Sequence, residues 1–85
     1  MRITEHFKER LEERFGYDLN TLWMDIKNNQ NEMIQLFKTS KELEWFPQFK
    51  NTFKKHPNCM LVLYENLNLC MVSENQDLIT CYTVN

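Results

Sequence analysis

The stretch CMLVLYENLNLCMVSENQDLITCYTV, residues 59–84, decides the fold. Its segments CMLVLY (59–64), LNLCMVS (67–73) and LITCYTV (78–84) are rich in aliphatic, aromatic and β-branched residues, the composition that fits a pleated, half-buried surface. Glu65-Asn66 and Glu74-Asn75-Gln76 separate them as short polar links, too short for anything but tight turns. Sequential strands joined this way form an antiparallel meander. CMLVLY is apolar at both its odd and its even positions, so that strand should be covered on both faces.

Upstream the period changes from two to four. Ile3, Phe7, Leu11 and Phe15 recur every fourth residue, the mark of an amphipathic helix. Thr4 suits its N-cap, and Gly16, the only glycine, stands where a left-handed C-cap belongs. Asp18 can cap a second helix, in which Leu19, Leu22, Trp23 and Ile26 give the i, i+3, i+4, i+7 pattern. That helix should end at Asn28-Asn29-Gln30-Asn31, a polar run of weak helix formers. EMIQLFK (32–38) fits either a short strand or a helical turn, since its apolar positions satisfy neither period. SKELEWF (40–46) has a serine N-cap before a short helix that Pro47 ends. In FPQFKNTFKKHPN (46–58), Phe46, Phe49 and Phe53 fall on one side and lysines on the other. The expected architecture is α+β: two N-terminal helices, a short helical or irregular middle segment, and a C-terminal antiparallel meander sheet of three or four strands.

Composition narrows the function. Eighty-five residues with 42% hydrophobic and 13% aromatic content fit a single domain, 1–85, with a small core. No apolar run is long enough for a bilayer and no signal-peptide pattern precedes the first helix, so the expected setting is the cytoplasm, with no membrane partner. Cys59, Cys70 and Cys81 cannot all pair and form no CxxC motif. They read as reduced thiols, one per strand, with no metal expected. A net charge of −2 argues against bulk electrostatic binding of nucleic acid. A local patch is still open, because five lysines lie between Lys38 and Lys55. The sequence has no Gly-rich phosphate loop, HExxH motif or nucleophile elbow, and no cofactor is implied.

The first helix carries the most chemistry. His6, Arg10 and Arg14 in TEHFKERLEERFG (4–16) fall at about 0°, 40° and 80° around the axis, against about 100° for Phe7 and 140° for Leu11. The row therefore borders the buried face, while Glu5, Glu9, Glu12 and Glu13 mostly lie elsewhere. Read structurally, these side chains bury their stems at the core edge. Read functionally, a histidine and an arginine one turn apart can move a proton and stabilise a phosphoryl oxyanion.

A helix reading His-x3-Arg-x2-Glu-Arg-Phe (His6, Arg10, Glu13-Arg14-Phe15), then a second short helix and a terminal strand LITCYTV, resembles small bacterial and phage proteins of the barnase–EndoU–colicin–RelE superfamily of ribonucleases and toxins. The resemblance implies metal-independent cleavage of RNA in a bacterial or phage-infected cell, with a cognate antitoxin as a further partner. It makes His6 the acid/base group and Arg10 the phosphate clamp. Arg14 becomes a second clamp or a structural residue, and Thr80, Tyr82 and Thr83 become the polar positions of the last strand. Thr80 and Tyr82 share a face, expected to turn both hydroxyls towards the helix. Lys54 and Lys55, with Lys50, Phe49 and Phe53, can add a basic patch with stacking aromatics. His56 can pair with His6, or serve as a turn residue in KKHPN. Two features depart from the superfamily pattern: the acidic balance and the aromatic, lysine-rich middle. The alternative is a non-enzymatic phage or mobile-element protein that binds and inhibits a host protein, with Trp45 and Phe46 as its exposed anchor.

Overall fold

The computed structural model describes residues 2–85. The order of elements is β1 (Arg2–Ile3), α1 (Glu5–Phe15), α2 (Leu19–Asn28), β2 (Met33–Leu36), α3 (Lys50–Lys55), β3 (Met60–Tyr64), β4 (Leu69–Glu74) and β5 (Asp77–Thr83). Short 3-10 turns fill the connections, including Lys41–Trp45 and Pro47–Phe49 ahead of α3. The protein is α+β.

Both long helices start and stop where their caps demand. Thr4 Oγ1 accepts the Phe7 N–H at 3.2 Å, and Asp18 Oδ1 accepts the Thr21 N–H at 2.8 Å. Gly16 adopts φ 65° and its N–H returns to the Glu12 carbonyl at 2.9 Å. This left-handed turn lets α2 begin within three residues of α1.

The expectation of a three- or four-stranded antiparallel meander needs correction. The sheet has five strands in the order β1-β5-β4-β3-β2, and β1 runs parallel to β5. The meander β3-β4-β5 is present and antiparallel, and β2 extends it through pairing with β3. Met33–Leu36 is thus the strand of its two possible readings. β1 has only two residues, too short for any period to register. It is fixed instead by Thr4, whose N–H and Oγ1 both reach the Leu78 carbonyl, at 3.1 and 3.0 Å.

The sheet is covered on both sides. On one face α1 and α2 bury Phe7, Leu11 and Leu22 against Val62, Tyr64, Leu69, Met71, Leu78 and Cys81. On the other, the 3-10 turns and α3 bury Phe46, Phe49 and Phe53 against Leu36, Leu61, Leu63, Cys70 and Val72. The alternating residues of β3 therefore serve two cores, which is why CMLVLY is apolar throughout. Cys59 lies one residue before β3, and all three cysteines are free, buried thiols. Burial pushes the Cys70 thiol far up and Cys81 up to about 11, against the partial opposing pull of Arg14 and Arg10.

A bulge sets the facing of β5. Val72 pairs with Thr80 and Ser73 with Leu78, so Ile79 is the extra residue. It lets Leu78 and Cys81, three apart, enter the same core. The β4–β5 link is a two-residue turn with Asn75 at φ 52° and Gln76 at φ 67°, the geometry that favours Asn-Gly. Gln76→Gly should therefore stabilise the protein by about 0.5–1 kcal/mol, since left-handed backbone costs an ordinary side chain about 1–2 kcal/mol. Urea denaturation measures it, and an unchanged midpoint would show that the turn carries no strain.

Candidate functional site

The site is built on an open sheet edge. β1 covers β5 only at Asp77 and Leu78, so beyond them β5 has no strand on its outer side. α1 packs over β5, and the last member of its boundary row, Arg14, reaches this edge. Arg14 Nη1 donates to the Cys81 carbonyl at 2.8 Å, and its guanidinium carbon stands 4.9 Å from the centre of the Tyr82 ring. One arginine thus satisfies an outward-facing backbone acceptor and stacks on an aromatic face. Only one of its five N–H donors is used in this way.

Arg14 also forms one wall of a cleft of about 360 Å³. Tyr82, Thr83, Val84 and Asn85 give the floor and rim from the β5 side, and Phe49, Asn51, Thr52 and Lys55 close it from α3 and the turn before it. Gln48, also at the rim, is held by a 2.6 Å hydrogen bond from Nε2 to the Val84 carbonyl. Two cations and several amide and hydroxyl groups face this space, with no acidic side chain among its walls. Such a lining suits an anion that carries further hydrogen-bonding groups.

Arg14, Lys55, Tyr82 and Thr83 therefore come together at one cleft. Others do not. His6 is exposed and lines no cleft described for the protein, and no hydrogen bond or ion pair joins it to a described residue. Arg10 is engaged with Glu13 at 2.6 Å on the helix surface. Lys54 stands on the other side of α3, in a separate cleft. His56 caps α3 and binds Glu74 Oε2 through Nδ1 at 3.1 Å, so it is a tie between α3 and β4, not a partner of His6.

The expectation that Thr80 and Tyr82 turn towards α1 is also corrected. They lie opposite Val72 and Cys70, residues of the core on the α3 side. Tyr82 reaches Arg14 only because the arginine wraps the sheet edge. Thr80 is 5% exposed and its hydroxyl has no partner, so it cannot meet a substrate. Thr80→Val keeps the shape and removes an unsatisfied buried hydroxyl, and should raise stability by about 1 kcal/mol. A lower denaturation midpoint for that variant would show that the hydroxyl is bonded after all.

The proposed protein anchor is altered as well. Trp45 is 75% exposed, but Phe46 is 7% exposed and belongs to the α3-side core. Phe49 and Phe53 are core residues too, each 3% exposed, so they offer no stacking platform. Gln48, Asn51 and Asn85 were missed by the sequence reading. Only Asn51 had a signal there, since it stands four residues before Lys55 and shares its face of α3.

Comparison with family models, with curated proteins and with solved structures finds no match to this chain. No helix among the described residues is long and apolar enough to cross a membrane.

Proposed function

We propose that the chain is a small ribonuclease-like domain that engages single-stranded RNA in the cleft between the end of β5 and α3. The observation that carries this reading is the cleft lining: Arg14 and Lys55 beside Tyr82, Thr83, Asn51 and Asn85, with no acidic side chain among them. Arg14 and Lys55 hold a backbone phosphate. The amides and hydroxyls around them pair with a base edge or a ribose 2′-hydroxyl, the group that distinguishes RNA from DNA. The strand continues along the open edge of β5, past Arg10 towards His6. That course extends about 12 Å along the helix axis, two turns from Arg14 to His6.

Cleavage in this reading is intramolecular: the 2′-oxygen attacks phosphorus, the 5′-oxygen leaves, and a side chain moves the proton. His6 is the acid/base group for that step, acting on a phosphodiester about two nucleotides along the strand from the one Arg14 holds. The test is incubation of RNA with the protein in EDTA, alongside a binding measurement. Wild type should bind and cleave, while His6→Ala should still bind and remain folded but lose cleavage. Equal cleavage by His6→Ala removes the histidine from the chemistry. Failure of wild type to bind RNA overturns the reading.

A second reading is favoured by Trp45, a residue three-quarters exposed at the end of the Lys41–Trp45 turn. In it the chain blocks a host protein through that residue. Trp45→Ala would then abolish growth inhibition on expression, and His6→Ala would leave it intact.

A further inference from the structure

The lysine-rich middle of the chain has a second cleft, on the far side of α3 from the first. It has a volume of about 520 Å³ and is lined by Lys38, Lys50 and Lys54, with Leu43, Phe53 and Pro57 beneath them. The three ion pairs among the described residues are Lys8–Glu5, Arg10–Glu13 and His56–Glu74. None of the cleft's lysines takes part in one. Three like charges therefore line one concavity without a counter-charge in contact, which leaves them available to an anion.

The two clefts share a wall. Lys50 and Lys54 lie one turn apart on one side of α3, while Asn51 and Lys55 lie on the side that faces the first cleft. Lys54 and Lys55 are consecutive, about 100° apart around the helix, so each cleft has a cation at the C-terminal end of α3. We infer that the Lys38–Lys50–Lys54 cleft is a second phosphate subsite, which takes the continuation of an RNA strand held at Arg14 and Lys55. The inference rests on the RNA reading of the first cleft. The chemistry of the second cleft favours RNA over an acidic peptide. Its lining offers ammonium groups and apolar surface but no amide or hydroxyl side chain to pair with a peptide backbone. A nucleic acid can be held there through its phosphates alone, with Leu43 and Pro57 as the apolar surface beside its bases.

The test uses two homopolymers, a uridine trinucleotide that fills one cleft and a uridine dodecanucleotide that can span both, titrated over a range of salt. Each neutralised phosphate on a single strand adds about −0.7 to the slope of log K against log salt. With Arg14, Lys55, Lys38, Lys50 and Lys54 all engaged, the dodecamer should give a slope near −3.5, roughly 0.7 for each cation. The triple variant K38Q/K50Q/K54Q should reduce that to about −1.4 and weaken the dodecamer at least tenfold. Its affinity for the trinucleotide should be unchanged. The charge-preserving K38R/K50R/K54R should behave as wild type, which separates lost charge from lost folding. If the glutamine variant keeps the full slope while Arg14→Ala still weakens both oligomers, the second subsite is refuted and the RNA reading stands. If wild type binds neither oligomer, the RNA reading itself fails and the subsite falls with it. Binding of polyglutamate in preference to the dodecamer would assign the cleft to an acidic peptide and overturn the inference.

Discussion

Arg14→Ala should weaken RNA binding by about ten- to a hundredfold, the equivalent of about 1.5–3 kcal/mol for a hydrogen bond to a charged group. Two contacts fix the guanidinium before any ligand arrives: the Cys81 carbonyl at 2.8 Å and the Tyr82 ring. A phosphate therefore meets a pre-oriented fork, and little side-chain freedom is lost on binding. Arg14→Lys keeps the charge but neither the planar fork nor the stacking, so it should recover only part of the affinity. Both variants should also lose some stability, because the Cys81 carbonyl at the open edge loses its donor. Fluorescence titration with a labelled oligomer, beside a urea melt, distinguishes the two effects. Unchanged affinity in a folded Arg14→Ala protein would dismiss the cleft as the RNA site.

Phe53→Ala should be the most damaging change to the α3 side, with a stability loss of about 3–5 kcal/mol. A helix of six residues cannot hold itself together in water, because the nucleation cost outweighs its few hydrogen bonds. α3 persists because Phe53, 3% exposed, locks it into the core formed with Leu36, Leu61 and Val72. That anchoring matters to function twice over, since α3 separates the two cationic clefts. A domain of this size has about 5–15 kcal/mol in total, so the loss is a large share of it. Phe53→Leu should retain most of the stability and most of the RNA affinity. If Phe53→Ala melts within about 1 kcal/mol of wild type, the α3 layer is held by something other than this ring.

Much of the fold was legible from residues with strong local signals. Thr4, Gly16 and Asp18 marked helix boundaries, and the apolar runs of β3, β4 and β5 marked the meander. β1 was not legible because two residues carry no period and its partner lies far along the chain. β2 was ambiguous because only Leu36 of its four residues is fully buried. The facing of Thr80 and Tyr82 was misjudged for a different reason. Alternation correctly gave them a common face, but which helix that face meets depends on how the layers stack, and the bulge at Ile79 resets the count on either side of it. Phe46 was misplaced because the Pro47 turn folds the chain back onto the sheet. Of the candidate site, Arg14, Lys55, Tyr82 and Thr83 could be named in advance as residue types. That they share one cleft followed only from Arg14 reaching around the edge of β5.

The pairing of β1 with β5 joins Thr4 to Leu78, 74 residues apart in sequence. α1 likewise rests on Leu78 and Cys81. During synthesis α1 has no floor to pack on until residues 77–83 have left the ribosome. The helix that carries His6, Arg10 and Arg14 thus gains its main packing partner only when nearly the whole described chain has been made. Such closure at long sequence range slows folding. It also means that a ribosome-bound nascent chain short of β5 holds the cations of the site without holding the site, and an activity directed at RNA would switch on only after that strand is free.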